Sequence, residues 1–249
     1  MGLQNHMDQQ RPWLELKKGP HTILWVEDFT SLPSMSGTEG AADVWLEETN
    51  AGATELLDPT ETGGVLKGTH TAADPDIISM FWNWGIKLSD LKAGEALEWG
   101  FKIKFNDVDD RDAFIGLGIH DADYVTRPAD FVMARLLESE ADGTLGIEVS
   151  KGSVVQDLTG IITMADAAYL RGFCRYTPGS VLDIGVLEYW FDTNGVHRHG
   201  AIDVNGVFPD DAVIRPFVQD ATGAVSAMTF SLDWMYVAAV RPDYVEGTG

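Results

Sequence analysis

The run Phe230-Ser-Leu-Asp-Trp-Met-Tyr-Val-Ala-Ala-Val-Arg241 constrains the fold more than any other stretch of this chain. It is strand-like and apolar on both of its faces. A strand covered on both sides belongs inside a sheet with material packed above and below it. The expected fold is therefore a sandwich whose last strand inserts between earlier ones.

Period-two alternation runs through the rest of the sequence. In Leu97-Glu-Trp-Gly-Phe-Lys-Ile-Lys-Phe105, Leu97, Trp99, Phe101, Ile103 and Phe105 point one way, and Glu98, Gly100, Lys102 and Lys104 the other. That spacing predicts a half-buried strand and excludes an amphipathic helix. Further strands are expected at 21–29, 43–48, 64–69, 77–84, 113–120, 131–137, 144–150, 182–192, 196–204 and 213–219. Asn194-Gly195 between two apolar runs predicts a tight hairpin. Residues 163–170 read either as a short helix or as an ordered loop. No linker or internal repeat divides the chain. The expected class is all-β: one antiparallel β-sandwich over residues 19–242, with a polar N-terminal arm at 1–18 and a tail at 243–249.

Composition narrows the partners. A hydrophobic content of 45% supports a packed core, and a net charge of -22 repels phosphate backbones, so no nucleic-acid partner is expected. A single cysteine, Cys174, excludes an intrachain disulfide, and its neighbours Phe173 and Tyr176 predict a buried thiol. The N-terminus lacks the basic start and apolar stretch of a signal peptide, and no run is long enough to span a membrane. A soluble protein made in a cytoplasm, with no membrane partner, is the expectation.

Three segments carry a family resemblance: 97–105 followed by 112–120, then Asn205-Gly-Val-Phe-Pro-Asp-Asp-Ala-Val-Ile-Arg-Pro-Phe-Val218, and Leu232-Asp-Trp-Met-Tyr-Val237. Together they resemble the concanavalin A-like lectin/glucanase jelly rolls. Their order is also similar to structural proteins of tailed bacteriophages, including capsid-decorating proteins. The resemblance implies a jelly-roll sandwich, and on the phage side a virion component docked on a capsid protein. The laminarinase-type hydrolases of this superfamily carry Glu-x-Asp-x-x-Glu on one strand. Here the single Glu-x-Asp, Glu140-Ala-Asp142, has no third carboxylate and sits in a turn-rich stretch. No catalytic residue is assigned, and no enzyme is expected.

Other constellations have two readings each. His197-Arg-His199 with Asp203 places two imidazoles and a carboxylate on one strand face, yet no later histidine completes a cupin-like ligand set. Asp107, Asp109, Asp110 and Asp112 form an acidic loop, with Asp121 and Asp123 as further members if the hairpin folds back. They are calcium candidates, although Arg111 and Asp112 occupy the fifth and sixth positions where an EF-type loop needs an oxygen ligand and a glycine. The alternative is a polar turn, so no metal or other cofactor is assigned. Trp82 and Trp84 share a face, which is a glycan-stacking platform if exposed and core packing if buried. The expected function is a non-enzymatic capsid decoration protein of a phage particle, self-associating as a dimer or trimer, located in the virion and assembled in a bacterial host cytoplasm. The alternatives are a carbohydrate-binding module and, last, a glycoside hydrolase with carboxylates from distant strands.

Overall fold

The computed structural model describes residues 22–29, 35–36, 45–49, 54–57, 64–71, 76–83, 85–120, 124–222 and 228–241. Within them the strands are, in chain order, β1 Thr22–Glu27, β2 Met35–Ser36, β3 Trp45–Thr49, β4 Thr54–Leu57, β5 Leu66–Thr69, β6 Asp76–Trp82, β7 Ala96–Phe105 and β8 Arg111–Gly118. They continue with β9 Phe131–Leu136, β10 Thr144–Lys151, β11 Val154–Thr163, β12 Tyr169–Pro178, β13 Ile184–Thr193, β14 Val196–Asn205, β15 Arg215–Thr222 and β16 Thr229–Val240. The helical content among the described residues is two single 3-10 turns, Leu88–Asp90 and Tyr124–Thr126.

Two sheets form. Sheet A runs β14-β13-β12-β7-β16-β5-β4, with β1 also paired to β16, and sheet B runs β11-β10-β9-β8-β15-β6-β3-β2. Among the described residues every strand pair is antiparallel except β2 with the neighbouring β3. The inward faces meet in one core. Leu97, Trp99, Phe101, Ile103 and Phe105 of β7 face Ile115 and Leu117 of β8, Val132 and Ala134 of β9, and Ile147 and Val149 of β10 within it. Burying each large side chain contributes about 1.5–3 kcal/mol, so alternation on these few strands specifies the layering.

β16 lies inside sheet A, between β7 on one side and β1 with β5 on the other. Its register shifts between Leu232 and Trp234, leaving Asp233 as the extra residue of a bulge. Because side chains alternate, that one residue changes the facing of everything after it. Phe230 and Leu232 point into the core, and Met235 and Val237 resume that direction beyond the bulge. Trp234, Tyr236, Ala238 and Val240 are turned to the outer face, where they are buried with Ala96 and Phe173.

Several expectations change in detail. β7 is half-buried only in its second half, where Lys102 and Lys104 are partly exposed between buried neighbours; in its first half the outward Glu98 is fully buried. Residues 163–170 hold no helix, because β11 ends at Thr163, a turn follows, and β12 begins at Tyr169. Strands β2, β4, β11 and β12 were not expected. The Asn194-Gly195 hairpin is present, with φ of 51° and 75° at its two turn residues, the pair of positive values a primed turn requires. The arm at 1–18 and the tail at 243–249 lie outside the described residues.

Candidate functional site

The outer face of sheet A is laid out by strand register. Across five strands, His197 of β14, Asp192 of β13, Arg171 of β12, Lys102 of β7 and Trp234 of β16 stand side by side. Cross-strand neighbours of opposite charge attract, and this row uses that pairing twice. Arg171 Nη2 donates to Asp192 Oδ2 at 2.9 Å, and Lys102 pairs with the bulge residue Asp233. His197 Nδ1 stands 3.7 Å from the same Asp192 oxygen. One row up, Tyr169 of β12 is opposite Lys104 of β7. The ammonium groups of Lys102 and Lys104 lie 4.4 and 4.7 Å from the centre of the Tyr169 ring, within cation–π range. Of these groups Lys102, Tyr169, Arg171 and Asp192 line a pocket of about 510 Å³, together with Ala167, Ala168, Asn194 and Gly195.

Below the pocket the same face is closed. Gly100 lies between Phe173 and Tyr236, and a Cβ there would come within 2.6 Å of the Tyr236 ring and 2.9 Å of the Phe173 ring. The missing side chain is what admits both rings. Under them Glu98 is held by three donors. Arg175 Nε and Nη2 reach Glu98 Oε2 at 3.1 and 2.7 Å, and Tyr236 Oη donates to Oε1 at 2.7 Å. Burial, then the Glu98 charge, pushes the Tyr236 phenol well above its ordinary value, and the same two causes raise the Cys174 thiol. Cys174 is buried, as its neighbours in the sequence predicted, and in this setting it is a packing residue rather than a nucleophile.

The outer face of sheet B carries a different arrangement. Phe81, Phe114, Tyr124, Phe131 and Phe217 form a buried aromatic cluster there. Tyr124 stacks on Phe217 at 4.1 Å, and its backbone N–H donates to the buried Gln219 Oε1, whose amide in turn donates to Ser79. Beside the cluster, Arg135 bridges Glu140, Glu148 and Asp157, and Arg127 also binds Glu148. A smaller pocket of about 380 Å³, lined by Asp112, Val125, Arg127, Leu137, Glu138 and Ser139, opens at this side. Among the described residues its lining includes no aromatic side chain.

The structure distributes the residues singled out in the sequence. Trp82 points between the sheets, packs against the core and stacks on Trp25 at 4.6 Å between ring centres. Trp84 lies outside the described residues, as do Asp121 and Asp123. Asp107 Oδ1 accepts the Asp109 N–H and Asp112 Oδ1 accepts the Glu138 N–H, so two of the four calcium candidates fasten local backbone. Loss of hydration, then repulsion from Asp142, Asp107, Asp166 and Asp110, raises the Asp109 carboxyl above its ordinary value. Among the described residues no group of three metal-ligating side chains is placed to hold an ion. Glu140 and Asp142 lie in the turn between β9 and β10. His197 and His199 are exposed on β14.

No protein-family model matches the chain, and no curated protein matches it. Solved structures do. A Shewanella oneidensis MR-1 protein of unknown function is 12% identical, with a TM-score of 0.56 over 96% of this chain and 97% of its own. Peanut lectin is 11% identical, with a TM-score of 0.58 over 89% and 98%. An endo-β-1,4-glucuronan lyase from Trichoderma reesei is 13% identical, with a TM-score of 0.56 over 90% and 100%. The fold is the concanavalin A-like jelly roll of lectins and glucanases. At these identities the likeness establishes architecture and leaves activity to the site itself.

Sequence reasoning did not find Tyr169, Arg171 or Asp192. The signal was the alternation Leu170, Gly172, Cys174, Tyr176 against Arg171, Phe173, Arg175. It was hidden because its first residues were assigned to a helix-or-loop segment. A second set was invisible for a different reason: His70 of the β5 end, Asp220 of β15 and Arg111 of β8 meet in a fully buried polar network although they are 150 residues apart at the widest.

Proposed function

We propose that this chain is a non-enzymatic saccharide-binding sandwich whose ligand docks on the outer face of sheet A, at the pocket walled by Tyr169. The observation that carries the reading is the composition of that pocket. An aromatic side chain offers a surface for the apolar C–H face of a sugar ring, while Arg171, Asp192, Lys102 and Asn194 surround it with hydrogen-bond donors and acceptors for hydroxyls. Such a site, apolar on one wall with a few fixed polar groups, is the usual form of a small-ligand pocket. The lectins that share the fold support a glycan as the partner. The similar structures lend no support to a capsid-decoration role.

The test is a glycan array followed by calorimetry on the strongest hits. Tyr169→Ala is expected to remove binding, Asp192→Ala to weaken it, and Trp82→Ala to leave affinity unchanged in the folded fraction. Incubation with a panel of polysaccharides is expected to release no reducing ends. Binding that survives Tyr169→Ala would place the ligand elsewhere, and turnover of any polysaccharide would replace a binding role with an enzymatic one.

A further inference from the structure

From the pocket's charge we infer that the preferred ligand is an anionic saccharide, one carrying a carboxylate or a sulfate; this rests on the saccharide-binding reading above. The chain has 17 basic and 39 acidic residues, so chance would surround any surface pocket with acid. Here the balance is reversed. Lys102 and Arg171 line the Tyr169 pocket with one carboxylate, Asp192; beside it Lys104 lies over the same ring and Asp233 pairs with Lys102. The cations come from adjacent strands, β7 and β12, and their facing is fixed by register rather than by loop geometry.

The placement of the two lysines makes the choice of ligand sharper. Both ammonium groups lie over the Tyr169 ring. A sugar that stacks on this ring has to displace at least one of them. A neutral sugar takes away a cation–π contact and returns a hydroxyl acceptor to the ammonium. A charged sugar supplies an oxygen anion to the displaced group, which adds ion-pair attraction to the hydrogen bond. Arg171, already held by Asp192, lines the same pocket as a fixed fork for a second oxygen of the same anion.

The experiment compares three matched probes on the full chain by calorimetry: a glucuronic acid tetrasaccharide, its carboxyl-reduced glucose counterpart, and that glucose counterpart bearing 6-O-sulfate. At least about tenfold tighter binding of one charged probe over the neutral one is expected, weakening as salt is raised. Which charged probe wins identifies the anion. Asp192→Asn is the discriminating variant, because it removes a negative charge while keeping the shape. It is expected to tighten the charged probe and to change the neutral one little, because the amide keeps one acceptor oxygen for Arg171 and for hydroxyls; a site that reads hydroxyls alone would show no gain confined to the charged probe. Lys104→Met, at the half-buried position beside the pocket, is expected to cost the charged probe about tenfold and the neutral one little. Equal binding of charged and neutral probes, abolished by Tyr169→Ala, would overturn this inference and leave saccharide binding intact. Failure of every probe and of the glycan array would remove both.

Discussion

Replacing Arg175 by alanine leaves the Glu98 carboxylate stranded beneath the Phe173 and Tyr236 rings, and the cost can be worked from the contacts. Glu98 is fully buried and receives two hydrogen bonds from Arg175 and one from Tyr236. Removing the guanidinium deletes both charge-assisted bonds and leaves a buried anion with one neutral donor. Breaking a buried pair in this way costs about 3–5 kcal/mol. Tyr236→Phe keeps the ion pair and removes one bond to a charged acceptor, so about 1.5–3 kcal/mol is expected. Arg198, exposed on β14, is the control, and Arg198→Ala should cost about 0.5 kcal/mol or less. Glu98→Met with Arg175→Met and Tyr236→Phe removes every polar member together, and this triple variant should recover most of the loss, as apolar replacement of a buried pair usually does. Urea unfolding with unchanged m-values reads all four. An Arg175→Ala cost no larger than that of Arg198→Ala would show that Glu98 is solvated or uncharged, and the account of this face would fail.

The remaining predictions concern packing, turn geometry and pH. Trp99→Ala in the core should cost about 3–5 kcal/mol, whereas Lys104→Ala on the opposite face of the same strand should cost about 0.5–1 kcal/mol, the worth of its cation–π contact with Tyr169. Gly100→Ala drives a methyl into two aromatic rings and should destabilise by about 1–3 kcal/mol, with the near-ultraviolet circular dichroism altered. Gly195→Ala meets no atom within 4 Å, yet its φ of 75° should still cost about 1 kcal/mol. Cys174 and Tyr236 have folded-state pKa values raised above their ordinary 9.0 and 10.0. The folded state therefore holds protons that the unfolded chain releases, so the stability is intact below about pH 9 and is lost as pH rises beyond these values. Tyr236→Phe should flatten the alkaline end of a pH series of unfolding free energies; an unchanged slope would contradict the assignment.

How much of this was legible in the chain depends on distance along it. β7 and β16 are visible because each is a long local pattern, and Asn194-Gly195 because the turn chemistry is local too. β12 was lost at its start, where Ala165–Tyr169 mimics helical composition and the strand's outward face mixes Arg171, Arg175 and Phe173 instead of presenting a clean polar set. β4 offers four residues, too few for a period to show. The Asp233 bulge cannot be read from one strand, since it exists only relative to the register of β7. The pocket had the same difficulty. Each of Lys102, Tyr169, Arg171 and Asp192 is an ordinary residue in its own segment, and sheet pairing alone makes them neighbours. Tryptophan pairs drew the eye in the sequence because they are rare and large. Trp82 is spent on the interior against Trp25, which is where a large apolar ring contributes most.

The most direct measurement is a protein-observed NMR titration of the full chain with the best saccharide ligand, with backbone amides assigned on both sheets. The account predicts chemical-shift changes concentrated on Lys102, Lys104, Tyr169, Arg171, Asp192 and the Asn194-Gly195 turn, with Gln219, Phe217 and Glu148 unmoved. Shifts gathered on the outer face of sheet B, with the Tyr169 row silent, would contradict it.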